Sequence, residues 1–544
     1  MSPVQEKKRS PLSGLVLLVV AIAVILAKSD VLPLKSSATR APARGELMLE
    51  KCEQYDRPFV CGKLGAPLDY TNEADPRNAS LAVIVYPAGG GVTPQEEVLG
   101  SLLLNPGGPG VSGVWMVGEG QWYDEPLVEH LDRVLEGKYN LVGFDPRGAG
   151  STYPRTHCFG TDNEKADREL AYYSALAADG FPGFKKNHRE DFEIGTLLAQ
   201  KRLVADLCAN SDDAEMLRFI GTPFVARDMQ LLHRALGDDK LNYWGFSYGT
   251  VIGSTYADMF PLDVGHVVLD GVIEMPDYYS GRWHTSLQDI DAELAQFFAE
   301  CAASPHCALR EVAGSKPLME VVMNWLEALK TEPGYALGRA ADQFVPPQVV
   351  THSAIMLTFF EVLREPLKWP ELADALHSAI TKGDFTGLAR PAGPGEENEE
   401  YYAIGCSDSL TPPREFGINE YKQHSAALLK DSPLFGDLFS PTGVMCTGIW
   451  PIRAAELHHG DFTANTAFPL LAIGNDLDPV TPGQCADDLA NTFPNAVSVR
   501  RAGYGHCSFS QPSACIDRIA ADYFLRGQLP SKNTRCEVDR PIWS

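Results

Sequence analysis

One short turn, Gly245-Phe-Ser-Tyr-Gly249, constrains the fold of this chain more than any other stretch. The apolar run 241–244 before it is typical of a buried strand, and residues 250–259 after it are typical of a helix. A G-x-S-x-G sequence between a strand and a helix forms a sharp, strained bend that exposes the serine hydroxyl above a sheet. Glycine is needed at both ends because a side chain there collides with the neighbouring strand or helix. The turn therefore predicts that Ser247 lies at the edge of a sheet, in the position of a nucleophile.

The rest of the chain alternates short apolar runs with helical stretches, a pattern typical of a mostly parallel sheet covered on both faces. Further strands are expected over 59–68, 81–86, 101–104, 139–144, 266–269, 468–473 and 496–499. Helical stretches such as 197–208 and 225–236 lie between them. The predicted fold class is α/β, with a doubly wound sheet.

The interval between Asp270 and Pro469 breaks this alternation because its periodicity is mostly helical. The clearest helical patterns cover 290–302, 317–329, 353–364 and 372–381. We interpret the interval as a helical lid inserted over the end of the sheet. The expected organisation is an N-terminal signal or anchor with a stalk over 1–45, a first core part over 46–274, the lid over 275–445, and a C-terminal core part over 446–544.

The N-terminus predicts entry into the secretory pathway. Lys7, Lys8 and Arg9 precede residues 10–27, which carry no charge, and this order is typical of a secretory signal or a signal anchor. The uncharged stretch is just long enough to span a bilayer, whereas its unbroken apolar part, 15–27, has the length of a signal-peptide core. The expected product is a single-pass membrane protein with a lumenal or extracellular globular part, or a secreted protein if the signal is cleaved.

The cysteines agree with an oxidising compartment. Their number, twelve, is even and allows up to six disulfides. Cys52 with Cys61, and Cys301 with Cys307, are close enough in sequence to form local pairs. Asn78-Ala-Ser80 is a glycosylation sequon that we expect to be used if it faces the lumen. No C-x-x-C or H-E-x-x-H spacing is present, so neither a metal site nor a cofactor is expected.

The net charge of −25 and the pI near 4.9 argue against nucleic acid and anionic membrane surfaces as partners. The same charge suits work at low pH or affinity for a cationic group such as a peptide amino terminus. Plain solubility is the favoured explanation of this charge. The charge therefore excludes classes of partner without selecting a substrate.

Two loops near the C-terminus carry the partners that a serine nucleophile needs. A serine hydroxyl requires a base, and the base requires an acid that orients it. On a doubly wound sheet both follow later strands, in the order serine, acid, histidine. One late strand is followed by a loop with Asp478, and the next strand by a loop with His506. We therefore predict a triad of Ser247, Asp478 and His506. Asp476 is the alternative acid, although its position favours hydrogen bonds within its own loop.

The sequence Asn105-Pro-Gly-Gly-Pro-Gly110 follows an early strand and predicts one side of an oxyanion hole. The first donor is expected to be the backbone N–H of Tyr248, the residue after the serine, and the second that of Gly108, with Gly107 as the alternative. The loop also matches G-x-G-x-x-G. However, the next acidic residue at a strand end, Asp145, lies too far along the chain for a dinucleotide site.

Five ordered segments carry a family resemblance: Pro106-Gly-Gly-Pro-Gly110, Asp145-Pro-Arg-Gly-Ala-Gly150, Gly245-Phe-Ser-Tyr-Gly249, Asp478-Pro-Val-Thr-Pro482 and Gly505-His506. They resemble the α/β-hydrolase serine peptidases, in particular the tripeptidyl aminopeptidase-like branch, which is related to prolyl iminopeptidase. The resemblance runs from about residue 50 to 540 and implies an α/β-hydrolase fold. It also implies an exopeptidase that removes short peptides or single residues from free amino termini. Pro106 stands where prolyl iminopeptidases often have histidine, which argues against proline-specific cleavage.

An aminopeptidase needs a carboxylate that pairs with the substrate ammonium. In the lid, Asp408 and the acidic cluster 396–400 are the candidates, although a charge run is more often a solvated loop. Arg147 is expected to brace its loop by hydrogen bonds rather than to contact substrate. The expected partner is a peptide with a free N-terminus, and the sequence does not fix the oligomeric state.

Two other functions compete with this hypothesis. A carboxylesterase acting on small or lipid esters would use the same three residues, because esters and amides share the acyl-enzyme route. A non-catalytic binding module on the same fold is the alternative from a different class. The presence of all three triad residue types argues against that module.

Overall fold

A ten-stranded sheet crosses the molecule, and helices cover both of its faces. The computed structural model describes residues 40–158, 186–338, 347–389, 399–411 and 416–543. The strands of the described residues are β1 Leu47–Lys51, β2 Val60–Pro67, β3 Asn78–Tyr86, β4 Gly100–Asn105, β5 Gln121–Trp122, β6 Glu125–Pro126, β7 Tyr139–Phe144, β8 Leu241–Phe246, β9 Val264–Asp270, β10 Gly334–Ala336, β11 Gln348–Val350, β12 Leu471–Asn475, β13 Val497–Ala502 and β14 Thr534–Glu537. Strands β5 and β6 form one separate two-stranded ribbon, and β10 and β11 form another.

In space the sheet order is β1-β2-β3-β7-β4-β8-β9-β12-β13-β14. From β7 to β14 every neighbouring pair is parallel, whereas β1, β2, β3 and β7 pair antiparallel. The predicted mostly parallel α/β sheet is confirmed. The sequence prediction misses the edge strands β1 and β14 because both are short, carry charged residues and bury few positions.

The α-helices of the described residues are α1 Gly113–Glu119, α2 Leu127–Val134, α3 Lys186–Ala209, α4 Thr222–Ala235, α5 Tyr248–Met259, α6 Met275–Ser280, α7 Ile290–Ala303, α8 Leu318–Ala328, α9 His352–Leu363, α10 Trp369–Lys382, α11 Glu399–Asp408, α12 Ile418–Asp431, α13 Gly436–Val444, α14 Gln484–Thr492 and α15 Ala514–Arg526. The four helical patterns predicted in the lid correspond to α7, α8, α9 and α10. Helices α6, α11, α12 and α13 add to them.

Neighbouring residues of the central strands enter two separate apolar cores. In β4, Leu103 joins the core on one face, while Leu102 and Leu104 join the core on the other. Tyr243 and Trp244 of β8 divide in the same way. Burial on both faces is what a parallel sheet between two helical layers requires.

The helices of segment 275–445, which the sequence predicts to be a lid and which keeps that name below, have an apolar core of their own. Helices α7, α9 and α10 meet around Phe297, Phe359 and Trp369, and the ring centroid of Phe297 lies 5.9 Å from that of Phe359 and 5.6 Å from that of Trp369. Tyr504, from the loop after β13, stacks on Trp369 with the centroids 5.4 Å apart. The lid therefore packs directly against the loop that follows β13.

Five disulfides form within the described residues: Cys52–Cys61, Cys158–Cys208, Cys301–Cys307, Cys406–Cys446 and Cys515–Cys536. The two local pairs expected from spacing are among them. Cys485 and Cys507 are free and buried, so five bridges form where the count allows six. This number of disulfides agrees with an oxidising compartment.

The N-terminal part of the prediction lies outside the described residues, because the expected signal or anchor covers residues 10–27. None of the helices that the structure describes is long and apolar enough to cross a bilayer. Asn78, the residue of the glycosylation sequon, is exposed at the start of β3, where its side-chain oxygen accepts a hydrogen bond from Arg44 at 2.7 Å.

Candidate active site

Ser247 occupies the bend between β8 and α5. Its backbone has φ 55° and ψ −122°, a conformation that is costly for a residue other than glycine and persists only where the surrounding structure holds it. The Ser247 amide donates to the Asp270 carbonyl at 3.0 Å. Thr250 donates to the Ser247 carbonyl from its amide at 2.8 Å and from its hydroxyl at 2.6 Å. These bonds hold the strained bend that the sequence predicts.

The glycines on either side of the bend have no room for a side chain. A Cβ atom on Gly245 would lie 2.5 Å from the Gly249 carbonyl oxygen, and one on Gly249 would lie 2.8 Å from the Asn105 carbonyl oxygen. Both distances are shorter than any ordinary van der Waals contact. Close packing of strand, helix and loop thus requires glycine at both positions.

Asp478 follows β12 and His506 follows β13, and the two side chains meet. The Nδ1 atom of His506 lies 3.0 and 3.1 Å from the two carboxylate oxygens of Asp478. Asp478 is fully buried, and it also accepts hydrogen bonds from the backbone amides of Val480, Thr481 and Cys507. Although burial opposes ionisation, the neighbouring His506 and these amides hold the pKa of Asp478 below its usual range. An ionised carboxylate at Nδ1 leaves Nε2 of the imidazole as the proton acceptor.

The two aspartates of the loop after β12 have different partners. Asp476 receives a hydrogen bond from Arg535 at 2.7 Å and lies near the surface. It has no hydrogen bond to His506 among the contacts of the described residues. The structure therefore places Asp478, and not Asp476, beside the imidazole.

The Cys507 thiol lies between the loops of Ser247 and His506. Its sulfur is 3.5 Å from the Asp270 carbonyl oxygen and 3.7 Å from the ring nitrogens of His506, and the Ser247 amide contacts it. The serine loop and the histidine loop are thus neighbours. Burial raises the pKa of the Cys507 thiol well above its usual range, so the thiolate, which is the nucleophilic form of cysteine, is disfavoured here.

Two residues without a sequence motif support the site: Thr481 contacts the Asp478–His506 pair, and Arg501 holds the loop that carries His506. The Thr481 hydroxyl donates to Asp478 at 2.8 Å and lies 3.1 Å from Nδ1 of His506. Arg501 is fully buried, and its guanidinium donates to the side chain of Asn475 and to the carbonyls of Tyr504, Ser508 and Gln511. The sequence sign of a buried arginine was the pair Arg500 and Arg501 near the end of β13, a strand that is otherwise mostly apolar.

The Pro-Gly-Gly-Pro-Gly loop after β4 lies directly against the bend. A Cβ atom on Gly107 would be 2.8 Å from the Tyr248 amide nitrogen. The Gly107 amide already donates to the side-chain oxygen of Asn105 at 2.9 Å. In the part of the chain that the structure describes, the amides of Gly108 and Tyr248 make no hydrogen bond to a protein acceptor. This arrangement favours Gly108 over Gly107 as the second oxyanion donor.

Asp145 and Arg147 brace the neighbouring loops. Asp145 is buried and accepts hydrogen bonds from the Ser112 hydroxyl and from the amides of Val114 and Ser151. Arg147 is also buried and pairs with Asp228 at 2.6 Å, while it donates to the carbonyls of Pro67, Leu68 and Phe219. The predicted bracing role of Arg147 is confirmed. Because Asp145 is occupied within the protein, it is not placed to bind the ribose of a dinucleotide.

Asp408 lies at the end of α11 and is fully buried. Its carboxylate accepts hydrogen bonds from the Thr222 amide and hydroxyl, at 2.8 and 2.5 Å, and from the Tyr278 hydroxyl at 2.8 Å. The Thr222 hydroxyl in turn lies 2.7 Å from that of Tyr248. Burial raises the pKa of Asp408 to about 6. The structure thus connects Asp408 to the residue after Ser247, and its predicted contact with a substrate ammonium stays a prediction.

A cavity beside the loop after β12 carries two carboxylates that sequence reasoning missed. Glu274 and Asp277 line it together with the rings of Tyr278 and Trp283 and with Thr481. Both acids lie at the junction between the predicted core and lid, where no sequence motif marks them. The Glu274 carboxylate accepts a hydrogen bond from the Asp277 amide at 2.5 Å and the Asp277 carboxylate one from the Thr285 amide at 2.7 Å, and such carboxylates can also pair with a cation.

Comparison with known proteins agrees with the fold and with the serine site described above. A family model described as alpha/beta hydrolase fold matches residues 100–312, and one described as TAP-like protein matches residues 432–536. The chain is 29% identical over 503 residues to the serine protease Hip1 of Mycobacterium tuberculosis, covering 88% of this chain and 87% of that relative. It is 28% identical over 493 residues to carboxylesterase B of the same organism, covering 88% and 86%. It is 26% identical over 530 residues to the tripeptidyl aminopeptidase of Streptomyces lividans, covering 92% and 88%.

The two model matches fall on the two parts of the chain that build the site. The first match, 100–312, contains the loop after β4 and the bend at Ser247, and the second, 432–536, contains Asp478 and His506. The relatives extend over nearly the whole chain and include a serine protease and a tripeptidyl aminopeptidase. The chain therefore has the α/β-hydrolase fold and is a serine hydrolase that resembles the tripeptidyl aminopeptidase-like peptidases.

Proposed function

We propose that this protein is a serine exopeptidase that releases short peptides or single residues from free amino termini. Ser247 attacks the scissile carbonyl while His506 takes the hydroxyl proton and passes it to the leaving amine. Asp478 holds the imidazole in the tautomer that accepts this proton. The amides of Gly108 and Tyr248 donate to the oxyanion, and a water molecule then hydrolyses the acyl-enzyme.

One observation carries the proposal. The amide of the strained Ser247 contacts Cys507, the residue after His506, and His506 is hydrogen-bonded to the buried Asp478. The amides of Gly108 and Tyr248 at the same bend are unused within the described residues. A nucleophile, an oriented base and two oxyanion donors are the complete set that acyl transfer needs. Each oxyanion donor lowers the barrier by about 3–4 kcal/mol in well-characterised serine hydrolases.

The cavity lined by Glu274 and Asp277 supports recognition of an amino terminus. Both residues line a cavity next to Thr481, and each carboxylate accepts a backbone hydrogen bond, Glu274 from the Asp277 amide and Asp277 from the Thr285 amide, whereas Asp408 is fully buried and accepts three. We therefore place the substrate ammonium at Glu274 and Asp277 ahead of Asp408. The similarity to a tripeptidyl aminopeptidase supports the same substrate class.

A carboxylesterase is the second candidate function. Carboxylesterase B of Mycobacterium tuberculosis covers as much of this chain as Hip1 does. The same nucleophile, base and oxyanion hole would cleave an ester. The two candidates differ in their need for a charged amino terminus.

The secretory pathway is the proposed location. Five disulfides support an oxidising compartment. The basic and apolar N-terminal sequence supports export. Asn78 is exposed and thus accessible to glycosylation.

The test compares one peptide amide in free and N-acetylated form, together with a matched simple ester, on the full chain. We expect kcat/KM for the free peptide to exceed that for the acetylated peptide by about tenfold or more, because hydrogen bonds to charged groups contribute roughly 1.5–3 kcal/mol. The double variant Glu274→Gln with Asp277→Asn should raise KM for the free peptide only. Equal cleavage of free and acetylated peptides would contradict the aminopeptidase, and cleavage of the ester alone would establish the carboxylesterase.

A further inference from the structure

The loop that carries His506 is held by the lid as well as by the residues around β12 and β13. The Gly505 amide donates to Glu293 of α7 at 2.7 Å, and the His506 amide donates to the carbonyl of Arg364, the residue after α9, at 2.9 Å. A Cβ atom on Gly505 would lie 2.4 Å from Pro366, so the lid and the loop are in close contact. The position of the imidazole therefore depends on α7 and the segment after α9 as well as on the sheet.

Glu293 is the buried acidic residue of this contact. The residue is fully buried, and one carboxylate oxygen accepts the Gly505 hydrogen bond. Its other oxygen, Oε2, has no hydrogen-bond partner among the described residues. A buried carboxylate with an unpartnered oxygen is costly when it is charged, whereas a neutral carboxylic acid in the same place is far less so.

The charged groups around Glu293 also favour its neutral form. Asp478 faces it from the loop after β12, Asp289 from the start of its own helix, and Arg501 from β13, with His506 on the loop it holds. Asp289 accepts a hydrogen bond from the Asp478 amide at 3.4 Å. Glu293 thus has two carboxylates and one guanidinium as charged neighbours, so the local charge is net negative. The guanidinium, that of Arg501, is already hydrogen-bonded to Asn475 and to backbone carbonyls. Burial, and then the charge of Asp478, raise the pKa of Glu293 well above its usual range.

We propose that Glu293 is a positioning residue of the lid, which as an uncharged acid holds the Gly505 amide and thereby sets the His506 imidazole against Ser247. This inference rests on the catalytic roles proposed above. Ionisation of Glu293 would bury a second negative charge beside Asp478 and favour the protonated imidazole, which cannot accept the serine proton. Only the neutral form is therefore compatible with full activity.

The experiment measures the rate at which a fluorophosphonate labels Ser247 as a function of pH, since this readout needs no peptide substrate. Glu293→Leu removes the acceptor for the Gly505 amide and should slow labelling by about tenfold or more, because small misplacements of a catalytic group are costly. Glu293→Gln keeps a neutral acceptor and should stay within about threefold of the wild type at neutral pH. We expect the wild-type labelling rate to decline at high pH, where Glu293 ionises, and Glu293→Gln should abolish this decline.

Glu300→Gln is the matched control, because Glu300 lies on the same helix and contacts the Tyr504 hydroxyl of the same loop at 3.1 Å. It should leave the rate and the pH profile as in the wild type. Equal losses in Glu293→Gln and Glu293→Leu would overturn the neutral-acid role. A wild-type rate in a folded Glu293→Leu would overturn the positioning role. Absence of labelling in the wild type would instead contradict the proposed nucleophile, so the two failures are distinguishable.

Discussion

Asp476 and Asp478 lie two positions apart in one loop, and their side chains point in different directions. Asp478 turns inward to His506, while Asp476 turns outward to Arg535. The pair offers a matched test of the acid, because both residues can be changed to asparagine without a change of size. Because their surroundings differ, we expect the two substitutions to have very different effects on kcat.

Asp478→Asn should lower kcat by roughly 10⁴-fold, because an amide stabilises the wrong tautomer of the base in a serine triad. Asp476→Asn should change kcat by less than about threefold, because an ion pair near the surface contributes little. Steady-state kinetics on one substrate, with melting curves as the folding control, makes the comparison. Similar losses in both variants would contradict the assignment of Asp478.

Residues with a sequence motif could be predicted, and residues that act through tertiary contact could not. Ser247, Asp478 and His506 follow strands in a fixed order, so their positions at one edge of the sheet could be inferred. Glu293 sits on a lid helix about two hundred positions before His506, and nothing in its local sequence marks it. Only the fold brings that helix to the catalytic loop.

At the scale of elements, hydrophobic patterning predicted the central strands and the regular lid helices. Strand β7 matches the predicted 139–144 because five of its six residues are buried and a strand buried on both faces is mostly apolar. The edge strand β14 has only one fully buried residue among its four, so its sequence carries little signal. The connectivity of Cys158–Cys208, Cys406–Cys446 and Cys515–Cys536 likewise depended on the fold.

The disulfide Cys406–Cys446 ties α11 to the turn after α13 across 40 residues. Closing a loop of this length in the unfolded chain stabilises a protein by roughly 4 kcal/mol in the chain-entropy model. Replacing both cysteines by serine should therefore lower the free energy of unfolding by about this amount, as measured by urea denaturation. Cys485→Ser, at a free buried cysteine, is the control for loss of a thiol alone. Equal stability of the double variant and the wild type would show that the bridge does not constrain the chain.

For the whole molecule, the buried carboxyls predict how stability depends on pH. Burial raises the pKa of Asp270, Asp289 and Asp408 from 3.8 to about 6. Such groups bind protons more tightly in the folded state than in the unfolded chain, so stability falls as the pH rises between these two values. In the opposite direction, arginine partners lower the pKa of Glu46 and Glu125 to about 2, and their contribution is lost below about pH 4.

Stability lost at higher pH by the buried aspartates and at lower pH by the paired glutamates gives maximum stability at about pH 5. The net charge of −25 acts in the same direction, because protonation of surface carboxylates reduces self-repulsion. The melting temperature should therefore be higher at pH 5 than at pH 7.5, and Asp408→Asn should reduce this difference. A melting temperature that rises steadily from pH 5 to pH 8 would contradict the expected protonation of these buried groups.

The central claim is that Ser247 is the nucleophile of a serine hydrolase, and covalent labelling tests it most directly. The full chain would be treated with a fluorophosphonate, digested and examined by mass spectrometry, beside Ser247→Ala and a matched Ser254→Ala variant on the same helix. We predict a single adduct on the peptide that contains Ser247, its complete loss in Ser247→Ala and its retention in Ser254→Ala. An adduct that persists in Ser247→Ala, or the absence of any adduct on the folded wild-type chain, would contradict the claim.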